Sequence, residues 1–152
     1  RLDNDVLKEF RQRGAFTDFF GMSFVAAFPK AIPETVKASQ EAIAIAMANI
    51  GVTKPDKLPL DIEIGVHLGE VYWGEYGSGR AKQQKVIGEH LVMAARLAGE
   101  ASHHESVSVL VSQPYWNLLE EKDADAKSLG QLKFKRLPDD PITYYPLALP
   151  GD

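Results

Sequence analysis

"IEIGVHLGEVYWGEYGSG", residues 62–79, places five glycines in eighteen positions and then runs directly into the basic stretch "RAKQQK". Three readings compete: a phosphate-cradling loop, a tight β-hairpin, and one part of a ligand site completed elsewhere in the chain. The spacing Gly74-x-x-Gly77-x-Gly79 is not a dinucleotide fingerprint. That motif needs a helix opening directly on its glycines, so that amides at the helix N-terminus meet the pyrophosphate. Here the nine residues "RAKQQKVIG" intervene before the next helical pattern, and no G-x-x-x-x-G-K-S/T occurs in the chain. Leu60, Ile62, Ile64 and Val66 alternate with polar or small residues, as a half-buried strand requires. "EVYWGEY" follows almost at once, so the two strands are expected to pair as a hairpin around Gly69.

Outward from this stretch the chain reads as short, well-punctuated elements. "DNDVLKEFRQR" (3–13) is helical, with Gly14 as its stop signal. "AFTDFFGMSFVAAF" (15–28) reads as two strands turning at Gly21, with Phe24, Ala26 and Phe28 on one face and Val25 and Ala27 on the other. A helix runs from Pro33 to Gly51, with Val36, Ile43, Met47 and Ile50 at helical spacing, and "VTKPDKLP" (52–59) is a loop. A further helix fits 88–101, its buried side assigned to Leu91, Ala94, Ala95 and Ala98. "VSVLVS" is a buried strand, "QPYWNLLEE" a short helix, and "LGQLKFKRL" with "ITYYPL" a closing strand pair. Helices alternating with hairpins imply an α+β sandwich of a mostly antiparallel sheet with packed helices.

Composition narrows the function. A chain of 152 residues that is 45% hydrophobic forms one domain with a real core. A formal net charge of −4 argues against a nucleic-acid partner, which calls for a basic stripe. With no cysteine there is neither a disulfide nor a thiolate metal site, which agrees with a cytoplasmic setting. The longest apolar run, "AIAIAMA", falls far short of the roughly 18 residues of a membrane span, so no membrane contact is expected of this domain. The chain opens at Arg1 inside a helical pattern and is expected to be a piece of a longer polypeptide.

The glycine-rich stretch does not stand alone. Ile64-Gly65-Val66-His67, Gly69, Val71, Gly74, Gly77-Ser78, Val86-Ile87-Gly88 and Ala94-Ala95-Arg96-Leu97 follow one another in the order and spacing of the class III adenylate/guanylate cyclase catalytic domain. "FFGMSFVAAF" resembles that family's F-x-G-D hairpin, and "VLVSQPYWNLL" and "LGQLKFKRLPDDPITYYPL" resemble its later strands, so the likeness covers nearly the whole chain. It implies a single cyclase homology domain over residues 1–152 with a ferredoxin-like sandwich. The family's N-terminal strand, which carries one metal-binding Asp, would precede residue 1. The resemblance further implies a homodimer, or a heterodimer with another cyclase domain, whose active sites form at the interface. There Mg or Mn ions act on ATP or GTP, and the product is a cyclic nucleotide that serves signal transduction.

Carried over position by position, Arg96 matches the transition-state arginine and Lys135 the purine-contacting lysine. On the residues alone, Arg96 also fits an arginine snorkelling from a packed helix, and Lys135 a solvated strand lysine. Three positions depart from the family. Met22 occupies the place of the second metal-binding carboxylate, and a thioether is a poor ligand for Mg²⁺. Val92 replaces the ribose-orienting Asn. Lys85 replaces the purine-selecting Asp, and with three donors and no acceptor it suits the O6 of guanine better than the amino group of adenine. Glu89 reads as a helix-start residue and His67 as structural. The substrate-side set is therefore Lys135, Lys85 and Val92, with Arg96 catalytic, and no metal ligand is supported by this chain alone. Lys85, Lys135 and Arg96 are expected to cluster near the helix after Gly88. These departures imply a degenerate domain: a pseudo-cyclase, or the non-metal half of a composite site. The alternative is a dimerisation module that binds no nucleotide.

Overall fold

The computed structural model describes residues 2–20, 23–53, 62–123, 125–133 and 141–148. The elements run α1 (Leu2–Gln12), β1 (Phe16–Phe20), β2 (Ser23–Ala27), α2 (Pro33–Thr53), β3 (Ile64–Val66), β4 (Tyr72–Tyr76), β5 (Gln83–Ile87), α3 (Glu89–Ala101), β6 (Val109–Ser112), α4 (Gln113–Trp116), β7 (Gly130–Leu132) and β8 (Ile142–Pro146). Four of the five strand pairings are antiparallel, as the sequence implies, and the α+β class stands. The chain divides into two compact units: residues 1–60 with 72–87, and residues 61–71 with 88–152.

In the first unit α1 ends where glycine dictates. Gly14 adopts φ 93, its amide bonds the Arg11 carbonyl at 3.1 Å, and the Ala15 amide reaches back to Phe10 at 3.1 Å. This is the two-bond Schellman closure of a helix C-terminus. β1 and β2 pair antiparallel from Phe16↔Ala27 to Phe20↔Ser23. The rings of Phe24 and Phe28 both pack on Phe10, at 5.6 and 6.2 Å, so the face assigned to them from alternation lies on α1. α2 opens at Pro33, and Thr35 reaches back to accept the Ile32 amide at 3.2 Å, half of a capping box. Its buried stripe is Val36, Ser39, Ala42, Ile43 and Ala46, while Met47 is only half-buried.

The hairpin expected around Gly69 does not form. β3 pairs in parallel with β6, whereas β4 pairs antiparallel with β5, from Tyr72↔Ile87 to Tyr76↔Gln83. The basic stretch after Gly79 thus leads into a strand that the residues between Gly79 and the next helical pattern do not announce. "QQKVI" carries little β patterning, and its strand character comes from hydrogen bonds to β4 rather than from propensity. A turn of 3₁₀ helix, Gly79–Ala81, connects the two strands.

The second unit is a four-stranded sheet in the order β3-β6-β8-β7, with α3 lying on β3 and β6. Its core gathers Leu97, Ala101, Leu110 and Tyr144, with Val107 and Leu132 against them. The buried stripe of α3 is Met93, Leu97 and Ala101, not the expected Leu91, Ala94, Ala95 and Ala98, and Ala95 is exposed. The bulkiest i, i+4, i+8 series takes the core because it buries the most apolar area. Ala94 and Ala98 serve a different purpose. A Cβ on Gly65 would collide with the Ala94 carbonyl oxygen and the Ala98 amide, so helix and strand backbones meet there directly.

Candidate functional site

Lys85 stands in the middle of β5, directly across from Gly74, which offers no side chain to pack against. Its ammonium lies 3.7 Å from Oδ2 of Asp18 on β1, with the lysine side chain 34% exposed and the aspartate 14%. A carboxylate that deeply placed needs a compensating cation, and Lys85 supplies one. Sequence reasoning passed over Asp18, although an acid inside the aromatic strand "FTDFF" is itself a signal, since such a residue is seldom buried unpaired. Nearby, Phe16 stacks on Trp73 with ring centroids 4.2 Å apart. On the β4–β5 ribbon Tyr72 is 65% exposed, and its direct cross-strand partner Ile87 is 45% exposed. Tyr76, on the same face as Tyr72, is also open.

In the second unit Gly88 caps the N-terminus of α3 with φ 153, a conformation open to glycine and costly for other residues. Val92 and Arg96 follow one turn apart on this helix, both exposed. The Arg96 guanidinium donates to the Lys133 backbone carbonyl at 2.7 Å, which ties the helix to the end of β7. Val92 presents only methyl groups and cannot make the polar contact that an Asn would. Met22 and Lys135 lie outside the described residues. Lys85 belongs to the first compact unit and Arg96 to the second.

A hydrogen-bonded chain fills the space between β3, β6 and α3. His67 Nδ1 meets Ser112 Oγ at 2.7 Å, and its Nε2 meets His90 Nδ1 at 2.9 Å. Burial, reinforced by the neighbouring His90, lowers the His67 pKa from 6.5 to about 4, so it is neutral near pH 7. Ser112 is fully buried, which removes it as a nucleophile despite its contact with an imidazole. The role expected for His67, structural rather than metal-binding, agrees with these contacts. A second polar knot joins Tyr144, whose hydroxyl donates to Glu100 at 3.2 Å and meets His104 Nε2 at 2.9 Å. Burial of the ring raises the tyrosine pKa, and the charge of Glu100 and the hydrogen bond to it raise it further. Among the described residues no three His, Asp or Glu side chains are grouped so as to hold a metal ion. Nor is any helix among the described residues long and apolar enough to cross a membrane.

The sequence matches no protein-family model and no curated protein. Solved structures do match. A bacterial light-regulated adenylyl cyclase superposes with a TM-score of 0.72 at 18% identity over 95% of this chain. The chain has the class III nucleotidyl cyclase fold. The adenylyl cyclase CyaB from P. aeruginosa gives a TM-score of 0.67 at 19% identity, covering 97% of this chain and 78% of that one. A non-canonical dimeric guanylyl cyclase domain of the RhoGC fusion protein from the aquatic fungus Blastocladiella emersonii gives 0.70 at 15% identity, covering 96% and 79%. The chain spans 42% of the length of the light-regulated cyclase. With the cyclase fold established, the hairpin signal misread around Gly69 has its explanation: the glycine-rich stretch is shared between a parallel strand of one sheet and the β4–β5 ribbon of another.

Proposed function

We propose that this chain is a single cyclase homology domain over residues 1–152, degenerate at its metal site. It works as a pseudo-cyclase or as the non-metal half of a composite site for ATP or GTP. The reading is carried by the cyclase fold together with the sequence resemblance, which matches a cation, Lys85, to the carboxylate with which the family selects its purine. Met22 and Val92 extend the same pattern, since a thioether replaces a hard oxygen ligand and an isopropyl group replaces an amide. Arg96 and Lys135 retain the two cations that match the family, so the chain can meet a triphosphate electrostatically without the ions that normally neutralise it. The domain acts as a homodimer, or as a heterodimer with another cyclase domain, in intracellular signalling.

Calorimetric titration with ATP and GTP, with and without Mn²⁺, tests this reading. Binding of a nucleotide triphosphate whose affinity does not depend on Mn²⁺ supports it, whereas strict dependence on Mn²⁺ overturns the degenerate metal site. A second reading, a dimerisation module that takes up no nucleotide, is favoured by the open Tyr72–Ile87 face of the β4–β5 ribbon. A stable dimer that gives no heat with either nucleotide assigns the chain to that class.

A further inference from the structure

We propose that His67 and His90 form a proton-operated latch, which holds the first turn of α3 to the end of β3 near neutral pH and releases it in acid. The inference is independent of any nucleotide reading and rests on contacts within the second unit alone. His67 follows directly on β3, and His90 is the second residue of α3. Their rings lie 5.0 Å apart and are joined by a single bond, Nε2 to Nδ1 at 2.9 Å, while Nδ1 of His67 is held by Ser112 Oγ at 2.7 Å. Backbone packing fixes this place in the fold. A Cβ on Gly69 would fall among the atoms of the His90 ring, and one on Gly88 would meet the Glu70 carbonyl at 3.4 Å. Residues 69–71 therefore lie directly on the start of the helix, and the histidine pair is the polar pin of that contact.

The number of protons decides whether the pin holds. With both rings neutral, the chain Ser112–His67–His90 is satisfied in either direction. One added proton is also accommodated, since an imidazolium on either residue donates to the bare nitrogen of the other. A second proton leaves two N–H groups facing each other across 2.9 Å with no acceptor between them. A cation on His90 also stands in the first turn of α3, where the helix dipole opposes it. The surrounding elements offer little relief. β3 carries no titratable side chain, β6 contributes the neutral hydroxyl of Ser112, and β8 sets Tyr144 opposite Ser112 with its hydroxyl engaged by Glu100 and His104. Glu89 precedes His90, Glu70 lies in the adjoining segment, and Arg96 and Glu100 stand further along α3, yet His90 is the residue that acts on His67. Burial, and after it His90, hold the latched His67 at about 4, against an ordinary 6.5. Release therefore takes up a proton between these values, and the open fraction rises as pH falls through that window.

Native-state hydrogen exchange on the whole chain, from about pH 7 to about pH 4.5 and corrected for intrinsic amide exchange, tests this. Opening of the amides in the first turns of α3 is expected to rise about tenfold per pH unit once pH falls below 6.5. That exchange should not respond to small additions of urea, the mark of a local opening, whereas the Leu147 amide, bonded to Val109 in the sheet, should respond. His67→Gln should remove most of the rise. His90→Asn, which keeps a partner near Nδ1 but carries no charge, should cut it several-fold, and the exposed His103→Asn should leave it unchanged. No rise in wild type, a rise that persists in His67→Gln, or one that follows urea as the sheet amide does overturns the latch. Should either latch variant fail to fold, NMR of the wild-type imidazole nitrogens decides. Loss of the bond between His67 and His90 in step with exchange of α3 supports the latch, and rings that titrate while that bond persists overturn it.

Discussion

The imidazoles of His67 and His90 share a single hydrogen bond, Nε2 to Nδ1 at 2.9 Å, while the second nitrogen of His67 is occupied by Ser112 at 2.7 Å. Each contact needs one donor and one acceptor, so a neutral His67 satisfies both, donating from one nitrogen and accepting at the other. A proton added to His67 makes both its nitrogens donors and places a charge in a largely buried position beside a second imidazole. Burial, and after it the neighbouring His90, therefore lower its pKa from 6.5 to about 4.

Because the folded-state pKa lies below the unfolded one, the native state binds the proton less readily. The stabilisation is fully present above about pH 6.5 and is lost as pH falls from there towards 4. Between pH 7 and pH 5 the loss should amount to about 1–2 kcal/mol, after discounting for the partial exposure of the ring. Urea unfolding at the two pH values measures it. A His67→Gln variant should show a flatter dependence, and an unchanged slope in that variant would assign the effect elsewhere.

Gly65→Ala should be among the most damaging single substitutions in the second unit. The added methyl would run into the Ala94 carbonyl, the Ala98 amide and the Leu97 Cβ, two of them backbone atoms that cannot rotate away. Helix α3 would have to lift from β3, and forced overpacking of this kind costs about 1–3 kcal/mol or more. Gly99→Ala, with nothing within reach of its Cβ, should leave stability unchanged or raise it through better helix propensity. Thermal melts of the pair distinguish a contact effect from a general intolerance of substitution.

Tyr72 and Ile87 face each other across the β4–β5 ribbon and are both open in the single chain. If this face forms the dimer contact, Tyr72→Ser with Ile87→Ser should weaken self-association by about tenfold or more in sedimentation. The same change should shift the stability of the monomer by no more than about 0.5 kcal/mol, since exposed side chains contribute little to the fold. Unaltered association would place the contact on another surface.

The purified chain should form no detectable cyclic nucleotide from ATP or GTP with either Mg²⁺ or Mn²⁺. On the proposed function, Met22 provides no hard oxygen donor, and the charge developing on the leaving pyrophosphate would be met by Arg96 and Lys135 without metal ions. Loss of one such electrostatic group costs about 10² to 10³ in rate. Met22→Asp by itself should not restore turnover, because one carboxylate is half of a two-metal set. Robust product formation that disappears in Arg96→Ala would show that other carboxylates hold the ions.

Much of this molecule is written locally. Gly14 as a helix stop, Pro33 as a helix start, the β1–β2 hairpin and the β7–β8 pair are short-range decisions of backbone conformation and alternation, and each lies where the residues indicate. The order of glycines and apolar residues from Ile64 to Leu97 resembles the class III cyclase run closely enough to point to that fold. Other features were not legible. The partner of β3 lies more than forty residues away in β6, and no local pattern in "IGV" distinguishes that parallel pairing from a hairpin with β4. The strand identity of "QQKVI" depends on backbone bonds lent by β4, and the buried stripe of α3 depends on which face Gly65 admits. Asp18 and Lys85 stand sixty-seven positions apart in the chain, and only the folding of β1 and β5 brings them within 3.7 Å. Sequence by itself determined most of the elements, β5 excepted, their punctuation and the chemical type of each candidate residue, since these follow from single side chains and their nearest neighbours. Tertiary structure alone decided which strands share a sheet and which charges share a partner, because both are set by the burial of surfaces that the chain brings together only on folding.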